Sequence, residues 1–130
     1  MYHTYEVVQM KIYKNQLFTK WAKTESINDS ALKTAIEEIE QGLFDARLGG
    51  NLYKKRVPRK GEGKRGGYRT FIAFKSGDKA IFIFGFAKNE RENVTRKEEE
   101  GLKELCQYYF LLSDAKISEA VKEGEFTEVK

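Results

Sequence analysis

The sequence predicts an α+β domain in which N-terminal helices pack on a small antiparallel sheet and a C-terminal helix closes the chain. Helical periodicity with capping residues fills the segment from Asn15 to Gly42 and again the segment from Thr95 onward. Between them lies a stretch rich in β-branched and aromatic residues that ends in Lys79 to Phe86. The sole proline, Pro58, falls between the helical stretches and interrupts neither. At 130 residues and 40% apolar, the chain has the size and core content of one domain, so residues 1–130 are expected to form a single unit.

Taken in order, Tyr5 to Tyr13 reads as a short strand, with Val7, Gln9 and Lys11 alternating imperfectly against Val8, Met10 and Ile12. Asn15 caps a helix running to about Thr24, whose apolar stripe is Leu17, Phe18 and Trp21. A second helix starts near Asn28 or Asp29 and runs to about Gln41. It places Ala31, Leu32, Ala35, Ile36 and Ile39 on one face and ends at Gly42. Leu52 to Val57 is a short strand, after which Pro58 and the glycines Gly61, Gly63, Gly66 and Gly67 predict a loop. Tyr68 to Lys75 and Lys79 to Phe86 form an antiparallel hairpin around Ser76-Gly77-Asp78. The second of these strands is apolar at nearly every position, as expected where both faces are covered. Thr95 followed by Glu98 reads as a capping box opening a helix to about Leu112, with Leu102, Leu105, Cys106, Tyr109 and Leu112 on one stripe. A further short helix spans about Ser113 to Glu123, and the acidic tail from Glu119 to Lys130 carries no clear assignment beyond it.

Charge is unevenly placed. The chain's formal net charge is +4, yet residues 53–69 hold eight basic side chains against the single acid Glu62. The segment from Glu90 to Lys130 is acidic in balance. A concentrated basic block suits a polyanion, because each neutralised phosphate releases condensed counterions. A solvated, solubilising loop is the plain alternative.

Several chemistries are excluded or disfavoured. The loop Lys60 to Gly67 is not a P-loop, since Gly63-Lys64 is followed by Arg65 and leads into a strand. His3 is the only histidine and lies near the terminus, which argues against histidine catalysis. Cys106, the only cysteine, falls on an apolar helical stripe and reads as core; with no internal disulfide possible, a reducing cytoplasm is the expected location. Glu37/Glu38 and Glu98-Glu99-Glu100 look like solvated helix faces, so no metal or other cofactor is expected. No apolar run approaches the length of a membrane span, and no secretion signal opens the chain, so no membrane partner is expected.

Strand alternation sharpens the basic block. Lys54 and Arg56 share one side of their strand with Leu52, while Tyr53, Lys55 and Val57 take the other. Arg69 shares a face with Phe71 and Ala73. If the two strands are neighbours, Lys54, Arg56 and Arg69 converge, and Lys88 and Arg91 after the last strand close the group. Otherwise these cations project separately into water.

The order of parts resembles the RelE-like toxins of type II toxin–antitoxin systems, and their HigB-like branch in particular. The resemblance is carried by Asp45 to Gly50, Leu52 to Val57, Gly61 to Thr70 and Phe84 to Asn93, and is most specific in Lys64 to Thr70 and Phe84 to Asn93. It implies a RelE-like fold and ribosome-dependent cleavage of messenger RNA. It also implies neutralisation by a co-expressed antitoxin, often a helix-turn-helix protein of the HigA kind. Position by position, it points to Lys54, Arg56, Arg69, Lys88 and Arg91 as catalytic, with Glu90 in the same motif. Where RelE has an arginine this chain has Asn89, and where RelE has a stacking tyrosine it has Thr95.

The residue types fit metal-independent, in-line attack of a substrate 2′-hydroxyl on the adjacent phosphate. Arg56, Arg69 and Arg91 clamp the phosphate, and Lys54 or Lys88 serves as base. Lys55, Arg59, Lys60, Lys64 and Arg65 are expected to hold RNA, with Tyr68 and Phe86 stacking on a base unless they belong to the core. Two alternatives stay open on sequence alone: a ParE-like toxin acting on DNA gyrase, and a nucleic-acid-binding module without turnover.

Overall fold

A computed structural model describes residues 10–59 and 63–130, apart from the side chains of residues 63–65. The described residues form four helices and a six-stranded sheet. In chain order these are β1 (Lys11–Asn15), α1 (Gln16–Thr24), α2 (Asp29–Glu40), β2 (Ala46–Gly49), β3 (Leu52–Arg59), β4 (Gly63–Lys75), β5 (Lys79–Ala87), α3 (Arg96–Leu111), α4 (Asp114–Lys122) and β6 (Phe126–Glu128). The sheet order is β2-β3-β4-β5-β1-β6. Neighbours pair antiparallel except β1 and β5, which run parallel, so the sheet expected to be antiparallel is mixed.

The helices begin where their caps predict. Asn15 Oδ1 accepts from the Phe18 amide, Asn28 Oδ1 from the Ala31 amide, and Ser113 Oγ from the Lys116 amide. Thr95 and Glu98 form a complete capping box. Gly42, at φ +85°, takes the left-handed position that ends α2.

The sheet is covered on both sides. Phe18 and Ala22 of α1 and Leu32, Ala35, Ile36 and Ile39 of α2 pack on Tyr53, Val57, Tyr68, Ile72, Phe74 and Phe82. On the opposite face Cys106 of α3 and Ile117 and Ala120 of α4 pack with Leu52, Phe71, Ala73, Ile81, Ile83 and Phe86. The C-terminal helices therefore make a third layer. This accounts for the nearly unbroken apolar sequence of β5, which is buried along most of its length.

Two strands lie beyond the sequence reading. β2 pairs with β3 across a tight turn in which Gly49, Gly50 and Asn51 all have positive φ. β6 comes from the acidic tail and pairs with β1 at the sheet's far edge. The tail is pinned by Asp29, whose carboxylate accepts from the Lys130 amide at 2.8 Å and from Lys14 Nζ at 3.0 Å. The N-terminal strand expected from Tyr5 is described only from Lys11 and runs on to Asn15; residues 1–9, including His3, lie outside the described residues. The glycine-rich connection is also shorter than predicted. β3 continues through Pro58 to Arg59, and β4 begins at Gly63.

Two close approaches need glycine. A Cβ on Gly67 would meet the Val57 carbonyl oxygen at 2.3 Å, where β3 shifts register beside Pro58. A Cβ on Gly85 would meet the Trp21 ring at 2.3 Å. That ring has little room to retreat, because it packs edge-on against both Phe18 and Tyr68 at 5.3 Å. Gly85→Ala should therefore lower stability by about 1–3 kcal/mol through overpacking, read as an earlier urea midpoint. An unchanged midpoint would contradict this packing.

Acid should loosen the tail latch. Burial opposes ionisation of Asp29, but the Lys130 amide and the Lys14 and Lys33 ammonium groups outweigh it and hold the carboxyl below its ordinary value of 3.8. A depressed folded-state value means that the contribution is complete above the unfolded value and is lost as pH falls through the folded one. Asp29→Asn should thus be less stable than the native protein at neutral pH, with the gap closing below about pH 4. Equal stability of the two at pH 7 would refute the latch.

Candidate functional site

The antiparallel register of β3 and β4 places Arg56 opposite Arg69 and Lys54 opposite Phe71. Alternation then turns Lys54, Arg56 and Arg69 toward the face that carries α3. Lys54 Nζ stands 6.0 Å from the centre of the Phe71 ring. Phe71, Phe84 and Phe86 form an aromatic floor with ring centres 6.1–6.2 Å apart. Arg91, in the turn after β5, lies over Phe86 at 5.3 Å. The strand cations and Arg91 thus line one side of the sheet, over a common apolar base.

Their partners differ. Arg56 is held by Asp45: its amide donates to Oδ2 at 2.5 Å, and its Nε forms an ion pair with Oδ1 at 3.1 Å. Arg91 grips Glu98 with two bonds, Nη1 to Oε2 at 3.1 Å and Nη2 to Oε1 at 2.5 Å. The bonds from Arg91, followed by that from the Thr95 amide, hold the Glu98 carboxyl at about 2. Lys54 Nζ donates to Asn93 Oδ1 at 3.1 Å and, among the described residues, meets no carboxylate at ion-pair distance. Arg69 Nε is buried and has no hydrogen-bond partner among the described residues. A buried guanidinium nitrogen left unpaired is costly and suits an incoming anion.

Lys54 feels this crowding. Burial first, then the charges of Arg69 and Arg56, lower its amine below the ordinary 10.5, against opposing pulls from Asp45 and Glu99.

Other expected site residues lie elsewhere. Lys55 is turned to the opposite face and buried, with Nζ 3.2 Å from Glu38 Oε1 and 2.9 Å from the Leu43 carbonyl oxygen. Tyr68 is likewise on the α1 side, packed edge-on against Trp21, with its hydroxyl donating to the Glu25 carbonyl oxygen at 3.3 Å. Neither side chain reaches the cation face, because alternation sends it to the other side of the sheet. Arg59 lies over the Tyr68 ring at 5.7 Å. Phe86 is on the cation face but buried beneath Arg91, so it supports the cluster without presenting a free stacking surface. Lys88 is exposed; its amide is tied to the Gly67 carbonyl oxygen at 3.2 Å, and no described contact joins its ammonium to the cluster. Lys60 and the side chains of Lys64 and Arg65 fall outside the described residues. Three residues that shape the site were not singled out for it from sequence: Asp45, Asn93 and Glu98. The capping box did locate Glu98, though only as a helix signal.

No group of three or more His, Cys, Asp or Glu side chains among the described residues is arranged to hold a metal ion. No helix among them is long and apolar enough to cross a membrane. Burial pushes the Cys106 thiol up to about 12, in keeping with a core role.

A family model described as the RelE toxin of the RelE/RelB toxin–antitoxin system matches residues 10–129. The chain belongs to the RelE toxin family. As a RelE toxin it is one half of a toxin–antitoxin pair, with a cognate antitoxin as its partner, and toxins of this family are commonly translation-inhibiting endoribonucleases. No curated protein matches the sequence significantly. The four helices and mostly antiparallel open sheet agree with the RelE-like fold expected from the sequence.

The electrostatics of this RelE toxin's cation face can be read directly. Replacing Arg69 with Gln should raise the Lys54 titration toward the ordinary lysine value, because a nearby like charge is removed. Side-chain 15N resonances of lysine followed against pH would report it. An unmoved Lys54 titration would mean that the two cations do not share a site.

Proposed function

We propose that this toxin is an endoribonuclease that cuts messenger RNA on the ribosome and so stops translation. The observation that carries the proposal is the pairing of Lys54, whose amine is lowered, with Arg69, whose buried Nε has no hydrogen-bond partner among the described residues. They stand beside Arg56 and share a face with Arg91. Family membership supports a message as substrate, and the HigB-like resemblance supports a helix-turn-helix antitoxin of the HigA kind. Both point to action in the cytoplasm, where messages are translated.

In this reading Arg69 takes the scissile phosphate, with Arg56 and Arg91 at its flanks. Lys54 removes the proton of the ribose 2′-hydroxyl. The 2′-oxygen attacks phosphorus, the bond to the 5′-oxygen breaks, and that oxygen takes a proton from water. The products are a 2′,3′-cyclic phosphate and a 5′-hydroxyl. Because the nucleophile belongs to the substrate, the protein supplies position, a base and positive charge where the phosphorane gains negative charge. Lys54 suits the base better than Lys88 on geometry. It is half-buried between two arginines, and loss of a proton there relieves repulsion.

Arg69→Ala should reduce cleavage of a translated message by about 10²-fold or more, as loss of an oxyanion-stabilising donor does, and should abolish growth arrest in cells. A message carrying a 2′-deoxy sugar at the cut position should resist the native toxin. Growth arrest and cleavage that survive Arg69→Ala would sink the proposal.

A further inference from the structure

We propose that Asn93 is a positioning residue of this site, fastening the base Lys54 and the clamp Arg91 into one rigid unit. The inference rests on the cleavage reading above and adds a residue to it.

The geometry is specific. Asn93 Oδ1 accepts from Lys54 Nζ at 3.1 Å and from the Val94 amide at 2.9 Å. The second bond fixes the side-chain amide, so that its oxygen faces β3 and not solvent. The Asn93 carbonyl oxygen accepts from Arg91 Nε at 3.0 Å. One residue in the turn after β5 thus holds Lys54, which comes from β3, with its side chain, and Arg91, two residues earlier, with its backbone. Arg91 is further fixed by its two bonds to Glu98, which also closes the capping box of α3. The chain of contacts therefore runs from β3 through the turn into the first turn of α3.

The chemistry explains why an amide fits here. A lysine has three rotatable donors and a flexible stem, so a base of this kind needs something to aim its nitrogen. A neutral acceptor can do this without adding charge. The groups that face Lys54 are Arg56 on its own strand, Arg69 on β4, Asp45 before β2 and Glu99 on α3; burial first, then the two arginines set against the two acids, leaves the amine lowered. A carboxylate at position 93 would tip that balance toward the protonated form.

Two variants separate aim from charge, and both sit at an exposed turn position where folding is not at stake. Asn93→Asp keeps every acceptor and adds a charge. The 15N titration of Lys54 should move up by about 1 unit or more. On translating ribosomes with a synthetic message, the acid limb of the cleavage rate should move up with it, because the base must lose its proton to act. Asn93→Ala keeps the charge balance and removes the aim. Its kcat should fall roughly tenfold or more while KM stays within about twofold, as expected for lost orientation. Variants whose Lys54 titration, pH profile and kcat all match the native toxin would overturn the assignment. If the native toxin cuts no message at all, the cleavage reading fails by itself. The Lys54 titration in Asn93→Asp then still decides whether Asn93 holds the amine.

Discussion

The site depends on one feature of the sheet: two arginines placed directly opposite each other on neighbouring antiparallel strands, Arg56 on β3 and Arg69 on β4. Like charges in that position repel and destabilise the pair. The fold tolerates it because Asp45, arriving just before β2, ties down Arg56 through both its amide and its Nε. Arg69 receives no such partner among the described residues. The register thus creates a concentrated positive charge, and a single acid decides which half of it stays available.

Everything around this pair serves to keep the register. β4 and β5 pair along most of their length, with one irregularity at Phe71/Ile72 that lets Ile81, Ile83 and Phe86 all reach the α3 side. On the other side Trp21 lies against Gly85, and Thr70 Oγ1 donates to the Lys55 carbonyl oxygen at 2.7 Å, a buried bond that stitches β4 to β3 next to the arginines. A slip of one residue would exchange the two faces of β3 and drive Lys54 and Arg56 into the α2 core. The apolar layers on both sides make that slip prohibitively unfavourable. Packing remote from the cations is what holds them in place.

How much of this was legible follows from how local each signal is. Cap residues act within four positions, so Asn15, Asn28 and the Thr95–Glu98 box located the helices closely. Strand alternation is local too, and it correctly separated Lys54 and Arg56 from Lys55. Pairing partners are not local. Nothing in Lys11 to Asn15 announces a parallel neighbour in Lys79 to Phe82, and the acidic look of the tail concealed β6. The same limit explains the site. Tyr68 and Arg69 are adjacent in sequence and both resemble RNA-binding residues, yet only a covered second face decides that Tyr68 belongs to the core. Lys55 was read as one more member of a basic run, although alternation alone sent it toward α2, where Glu38 meets it. Asp45 and Asn93 stayed hidden because their importance lies wholly in which strand comes back to meet them.

The distribution of acids bears on how such a face would meet the RNA of the proposed reading. Arg56 and Arg91 each carry a carboxylate in contact, and these contacts keep the uncomplexed face from repelling itself apart. On the proposed reading a phosphate must therefore compete with Asp45 and Glu98 for those two guanidinium groups, while Arg69 and Lys54 meet it without such competition among the described residues. Internal competition lowers affinity for any anion in free solution, since each exchanged ion pair returns little net energy in a hydrated setting. It weakens catalysis much less, because a phosphate already held in place faces an effective concentration far above that of free RNA. On the proposed reading, a large assembly that presents the message in register supplies what the cation face itself withholds. A toxin built in this way would be quiet toward loose RNA and active where translation is under way.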